Sequence, residues 1–226
     1  MQDKQPTLLL TRPKPQSEEF LATCEEIAGR RLPVVISPIM RIELRKQLPD
    51  VRKYATIIFT SANGVAAIPD VLRGRQVVTV GEKTADAATR SGAVVRALGE
   101  NAEQLVARSI EIQGPALHIR GTHARGDIAL RLRKAGIEVD EAVVYDQVSQ
   151  PLNKAALALL QGEGLVIAPV FSPRSAKLLS GMSMTADARV IAMSADVAEA
   201  WAGRGEIEVA PSPTAEAMAQ SVVKHF

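Results

Sequence analysis

The chain has 226 residues, 46% of them apolar and only 3% aromatic, which is room for one large domain or for two of about 100 residues, each with its own core. A formal net charge of +2 with acidic and basic residues interleaved argues against a phosphate-backbone binder. The scarcity of aromatics argues against a stacking platform for single-stranded nucleic acid, so any anion specificity has to be local.

The N-terminal stretch Met1-Gln2-Asp3-Lys4-Gln5-Pro6 lacks the features of an export signal, and no apolar run approaches a membrane span. Cys24 is the only cysteine, so internal disulfides and cysteine-based zinc sites are out, which suits a reducing cytosol. A soluble cytoplasmic protein is expected. Leu8-Leu9-Leu10-Thr11 reads as a short buried strand, and the prolines of Arg12-Pro13-Lys14-Pro15-Gln16 suit a loop and a helix entry. A helix with Phe20, Leu21, Cys24 and Ile27 on one face ends at Gly29. The run from Pro33 to Ile39 is a second strand whose flanking prolines suggest an edge or a domain crossing, and Leu44 to Tyr54 reads as a short polar helix with loop.

Next comes Ile57-Ile58-Phe59-Thr60-Ser61-Ala62-Asn63-Gly64-Val65, an apolar strand, a tight turn and a helix N-terminus. Such a turn leaves backbone N–H groups without intrahelical partners and aims the positive end of the helix dipole beyond the strand, a natural seat for a carboxylate or phosphate. The construction recurs at Val80 to Ala85, Gly99 to Glu103, Val170 to Ser175, Met193 to Asp196 and Pro211 to Glu216. Between these turns, Gln76 to Val80 and Val94 to Arg96 are strands, with helices over Ala85 to Ser91 and Ala102 to Ile112.

From Pro115 the cycle begins again. Ala116 to Gly121 is a strand with a glycine turn, Asp127 to Lys134 a helix stopped at Gly136, Glu141 to Tyr145 a strand, and Asn153 to Leu160 a helix. Leu165 to Phe171, Arg189 to Met193 and Glu206 to Val209 are the last strands, each followed by a helix. The alternation is that of parallel sheets in an α/β protein. Laid over each other, the halves match at a nearly constant offset of 107 to 113 residues: Arg12 on Arg120, Gly29 on Gly136, Ser61 on Ser172, Ala85 on Ala198, Ala102-Glu103 on Ala215-Glu216. This is an internal duplication, predicting two similar α/β domains facing each other across a cleft, since ligands of open parallel sheets bind beyond the carboxyl ends of the strands. Pattern alone cuts the halves near Gln113 and Gly114 and leaves open whether the first β-α-β unit swaps into the other domain.

Candidate site residues follow from these turns. Ser61, Thr84, Ser172, Ser194, Ser212 and Thr214, with their neighbours Ala62 and Asn63, could hold ligand carboxylates through hydroxyls and N–H groups, or they could be ordinary helix caps. Arg12, Arg120, Arg125 and Arg174 stand at or just after strand ends, where a guanidinium can pair bidentately with a carboxylate; Gly121 shapes one of these turns, and Lys83 belongs to the set more weakly. Tyr145 closes a strand, where its phenol can donate a proton or simply pack. His118, His123 and His225 show no metal or triad spacing, Trp201 reads as a helix-face core residue, and no glycine turn matches a nucleotide fingerprint.

Taken in order, Leu10-Thr11-Arg12-Pro13, Phe59-Thr60-Ser61-Ala62-Asn63-Gly64-Val65, Val80-Gly81 with Thr84-Ala85, Asn101-Ala102-Glu103 with Leu105, Arg120-Gly121 with Arg125, Val144-Tyr145, Phe171-Ser172-Pro173 and Ser212-Pro213-Thr214 resemble the uroporphyrinogen-III synthase family over nearly the whole chain. The resemblance implies two flavodoxin-like domains, one from 1–36 plus 147–226 and one from 42–140, joined by linker strands at 37–41 and 141–146. It implies a lyase that closes hydroxymethylbilane, a carboxylate-rich linear tetrapyrrole, to uroporphyrinogen III with inversion of ring D and loss of water, as a monomer with no cofactor, metal, nucleic acid or membrane partner. It also implies Tyr145 as the general acid and Thr84, Ser61, Ser172 and Thr214 as substrate-orienting positions. The second copy of the Gly-x-x-Thr-Ala turn has become Ser194-Ala195-Asp196-Val197-Ala198, and Asp196 would repel a polycarboxylate, so that turn is left out of the site. The alternative from another class is a non-catalytic cleft protein that closes on a small polyanionic ligand.

Overall fold

A computed structural model describes residues 5–124 and 126–226. The chain forms two compact units. The first takes the residues up to Arg41 together with Ser149–Phe226, and the second takes Ile42–Val148. Gln113 and Gly114, the seam of the sequence repeat, therefore lie inside the second unit.

In the first unit a five-stranded sheet is built from β1 (Thr7–Leu10), β2 (Val34–Ile36), β9 (Val166–Val170), β10 (Ala188–Ala192) and β11 (Glu206–Val209), in the order β11-β10-β9-β1-β2. All four pairings are parallel. Its helices are α1 (Lys14–Ala28), α6 (Lys154–Leu160), α7 (Pro173–Ser180), α8 (Ala195–Glu199) and α9 (Ala215–Val223). β9 is buried at every position, as a strand covered on both faces must be, and this is why it reads as an unbroken apolar run. One core layer gathers Leu9, Val166, Ala168, Val170, Val190 and Leu179, and the opposite layer gathers Leu8, Leu10, Phe20, Ile167, Ile191 and Met218.

The second unit holds a six-stranded sheet of β3 (Met40–Leu44), β4 (Thr56–Phe59), β5 (Gln76–Thr79), β6 (Val94–Ala97), β7 (Ala116–Gly121) and β8 (Val139–Ser149), in the order β3-β8-β7-β4-β5-β6. The pairs β4 with β5, β4 with β7, β5 with β6 and β7 with β8 are parallel. α2 (Ala62–Ala67), α3 (Glu82–Arg90), α4 (Ala102–Ala107) and α5 (Ile128–Lys134) complete it. Its two core layers centre on Ile57, Phe59, Leu117, Ile119 and Tyr145, and on Ile58, Val78, Leu98, Leu105 and Leu132.

Each sheet mixes the two sequence copies. The first unit pairs β1 and β2 of the first copy with β9, β10 and β11 of the second, and the second unit pairs β4, β5 and β6 of the first copy with β7 and β8 of the second. Read as β2-β1-β9-β10-β11, the first sheet has the flavodoxin strand order 2-1-3-4-5. The second sheet repeats that spatial order as β8-β7-β4-β5-β6, with β3 added at the edge. The opening β-α-β segments of the two copies have thus been exchanged. The chain crosses between units within β3 and at the end of β8.

Local departures from the sequence reading have local causes. Residues 45–55 form no helix; Pro49 and a run of polar residues leave a loop after β3. The helix expected over Ala102 to Ile112 stops at Ala107 and resumes as a 3-10 turn over Ser109–Glu111, where Arg108 reaches forward to donate from Nε to Glu111 Oε1 at 2.7 Å. Trp201 falls just past α8, half-buried against the first unit's core and not on a helix face.

Candidate active site

Because the strands of each unit's paired core run parallel, their carboxyl ends gather at one edge, and the sheet order reverses between β1 and β9 in the first unit and between β7 and β4 in the second. Crevices at such switch points are where open α/β sheets take ligands. In the first unit a proline stands at the end of the pairing at this point. The Val166 N–H donates to Asp187 O on the β10 side, and N–H groups alternate sides along a strand, so position 169 would donate toward β1. Pro169 has no N–H, and the β1–β9 ladder stops at Leu8 opposite Ile167.

Around that point stand Arg12, Ser172 and Arg174, with Ser212 and Thr214 at the end of β11 on the same edge. Ser172 makes a reciprocal capping box on α7: its Oγ accepts from the Ser175 N–H at 3.1 Å, and its own N–H donates to Ser175 Oγ at 3.2 Å. Thr214 Oγ1 accepts from the Ala217 N–H at 3.2 Å and lies 3.2 Å from Ser212 Oγ. Arg12 is half-buried, with its guanidinium carbon 4.4 Å from the centre of the Phe171 ring. Burial pushes the Arg12 guanidinium below its ordinary range, and attraction to Glu19 works the other way. The α8 turn keeps Ser194 as its first residue without a side-chain cap bond, and Asp196 sits in its first turn.

In the second unit Ser61 Oγ accepts from the Asn63 N–H at 3.2 Å, and Ala62 and Asn63 open α2. Gly64 is closely packed: a Cβ there would stand 3.0 Å from Phe59 Cδ1 and 3.4 Å from the Ile119 carbonyl oxygen, so the Phe59 ring would have to give by a few tenths of an ångström. Thr84 is in α3 and only 6% exposed, behind the left-handed Gly81 that opens that helix. Arg125 lies outside the described residues.

Tyr145 is 4% exposed and belongs to the core layer with Phe59 and Ile119. A register shift between Arg120 and Gly121 sets Gly121 opposite Tyr145. A Cβ on Gly121 would be 2.5 Å from Tyr145 Cε2 and 2.6 Å from Cζ, so this glycine makes room for the ring. Among the described residues none hydrogen-bonds the Tyr145 phenol. Arg120, in contrast, is occupied: its Nε donates to Glu141 Oε1 at 2.7 Å and its Nη1 to the carbonyls of Gly121 and Thr122 at 3.1 and 3.4 Å. His118 is 1% exposed, its Nδ1 3.7 Å from Glu141 Oε1 and its Nε2 3.4 Å from Thr60 Oγ1. Desolvation pulls this imidazole down to about 4, with Glu141 pulling upward and Arg120 downward.

Sequence reading gave no role to Phe171 or Glu141. Phe171 is one of four phenylalanines in the chain, directly before a cap serine and close to the repeat position of Thr60, and that was the available signal. Glu141 had none, because its partner is 21 residues away and they meet only through β7–β8 pairing. Among the described residues no group of three or more His, Cys, Asp or Glu could hold a metal ion, and no helix is long and apolar enough to cross a membrane.

Comparison with known proteins points in one direction. The family model described as uroporphyrinogen-III synthase HemD matches residues 23–220. A uroporphyrinogen-III synthase of Chlorobaculum parvum is 30% identical over 167 residues, 65% of this chain and 66% of that relative, so the match spans about two thirds of its length. The fold matches a crystal structure of uroporphyrinogen-III synthetase from Helicobacter pylori with a TM-score of 0.69 at 16% identity, over 99% of this chain and 100% of that one. A mutant uroporphyrinogen III synthase from Thermus thermophilus aligns with a TM-score of 0.50 at 15% identity, over 97% of this chain and 98% of that one.

Proposed function

The chain belongs to the uroporphyrinogen-III synthase family, and from that premise we propose that it cyclises hydroxymethylbilane to uroporphyrinogen III, with inversion of ring D and loss of water, in tetrapyrrole biosynthesis leading to haem or sirohaem. The hydroxyl of ring A leaves with a proton as water to give an azafulvene. The substituted end of ring D attacks it to form a spirocyclic pyrrolenine, which fragments and recloses. The net change is a dehydration with rearrangement, so no electrons pass to an acceptor.

The observation that carries the reading is Tyr145: a ring fixed by Gly121, with a phenol that no described residue engages, at the carboxyl edge of the second sheet. A neutral phenol can give its proton to a departing hydroxyl without any change in its charge before the reaction. Ser61, Ala62 and Asn63 in one unit, and Arg12, Ser172, Arg174, Ser212 and Thr214 in the other, supply N–H groups, hydroxyls and guanidinium forks of the kind that hold carboxylates. Thr84, buried in the first turn of α3, belongs to the substrate-orienting set, and Arg120 and Gly121 act by shaping the β7–β8 edge that carries Tyr145. Because orientation and not strong acid–base chemistry selects between the possible closures, holding the chain folded is the main catalytic task. We further propose that the protein works as a cytoplasmic monomer.

The test is to incubate the purified protein with hydroxymethylbilane and separate the uroporphyrinogen isomers. The type III isomer is expected. A product containing only the spontaneously formed type I isomer overturns the proposal and leaves the non-catalytic polyanion binder.

A further inference from the structure

The duplication places one arginine at the carboxyl end of the first strand of each copy, Arg12 two residues past β1 and Arg120 within the last pairs of β7, and the structure treats them differently. Two residues before Arg120, His118 pairs in register with Glu141 on β8, and that carboxylate closes on the Arg120 fork at 2.7 Å. Two residues before Arg12, Leu10 pairs in register with Ile36 on β2. An aliphatic side chain thus stands where the other unit has its carboxylate, and the carboxylate that attracts Arg12 is Glu19 on α1, not a residue of the neighbouring strand. The residue after the neighbouring strand has changed as well. Thr60 follows β4, whereas Phe171 follows β9, and the Arg12 guanidinium carbon lies 4.4 Å from the centre of the Phe171 ring. Phe171 is itself fixed by the buried Phe20, which meets it edge-on with centroids 5.1 Å apart and planes at 86°.

A guanidinium carries its five N–H donors in its own plane. A carboxylate partner consumes that fork, as Glu141 does for Arg120, whereas an aromatic face takes hold of the flat surface and leaves the in-plane donors available. We propose that Phe171 is a positioning residue: with Phe20 behind it, it holds the Arg12 guanidinium at the switch point of the first unit so that the N–H fork can take a carboxylate of the substrate. This rests on the reading of Arg12 as a substrate contact. The duplicated arginines have then divided their work, one binding the anion and the other supporting the edge that carries Tyr145.

The experiment is a double-mutant cycle of Arg12→Ala and Phe171→Leu on the full chain, read as KM and kcat for uroporphyrinogen III formation. The Kd for uroporphyrin III is measured alongside, so the cycle can be read even in a variant that no longer turns over. Phe171→Leu should raise KM and Kd by about five-fold with kcat within about two-fold, the size of one partly desolvated cation–π contact. Phe171→Tyr, which keeps the ring face, should restore both, and in the Arg12→Ala background the Phe171→Leu change should have no further effect. Multiplying effects of the two substitutions, or a Tyr variant no better than Leu, would overturn the role of Phe171. An Arg12→Ala variant with unaltered KM and Kd would overturn the substrate contact itself and this proposal with it. Absence of any type III product from the wild type, with the Kd cycle intact, would count against the proposed reaction alone.

Discussion

Tyr145→Phe removes one oxygen and leaves the ring, so it separates the chemistry of this residue from its packing. The ring is part of the second unit's core and sits against the Cα of Gly121. Its phenol makes no hydrogen bond to a described residue, so no buried partner is left unsatisfied by the change. Stability should therefore move by no more than about 0.5 kcal/mol, a shift in Tm within about 2 °C for a chain of this size. If the phenol protonates the leaving hydroxyl, kcat should fall by about 100-fold or more, a loss of roughly 2.7 kcal/mol of transition-state stabilisation, with KM nearly unchanged. The assay is the initial rate of type III isomer formation with the isomers separated, run beside thermal melts of both proteins. A kcat within about two-fold of the wild type would show that the phenol is not the acid.

Gly121→Ala should do by sterics what Tyr145→Phe does by chemistry. The new Cβ needs the ring to move, which costs about 1–3 kcal/mol and takes the phenol with it, so melts and turnover should both fall; wild-type kcat would show that ring placement is unimportant. Ser172→Ala breaks the capping box and should cost about 1 kcal/mol of stability while raising KM, and an unchanged KM would confine Ser172 to capping. His118 gives a pH prediction whose sign is fixed by its environment. Its folded pKa of about 4 lies below the ordinary 6.5, so the unfolded chain binds the proton more readily, and stability present above pH 6.5 is lost as pH falls toward 4. Urea unfolding of His118→Gln and wild type should show the wild type's advantage shrinking by about 2–3 kcal/mol between pH 7 and pH 4.5. A gap independent of pH would mean that the imidazole is not kept neutral by burial.

Much of the fold is legible locally. Ile57-Ile58-Phe59 and Val166 to Val170 announce strands buried on both faces because nothing polar interrupts them. Ser61, Asn101, Ser172 and Thr214 announce helix starts because their side chains satisfy N–H groups within three residues. Local reading fails where a long-range partner decides. Arg12 and Arg120 look alike in sequence, yet one lies on Phe171 and the other is closed by Glu141. Gly121 looks like a ligand turn, and its neighbour turns out to be the ring of Tyr145, 24 residues on.

By itself, then, the sequence determined the kind and order of the elements, the duplication and the capping chemistry of the turns, because each depends on residues a few positions apart. What the residue pattern left open and the tertiary structure decided is that the opening β-α-β segments of the two copies change places, giving β2-β1-β9-β10-β11 in one sheet and β8-β7-β4-β5-β6 in the other. Apolar strands of like length are equally acceptable neighbours as far as hydrophobic burial is concerned. Which ones pair, and which arginine lies on an aromatic ring and which on a carboxylate of the neighbouring strand, is settled by side chains that come within reach only after the sheets have formed.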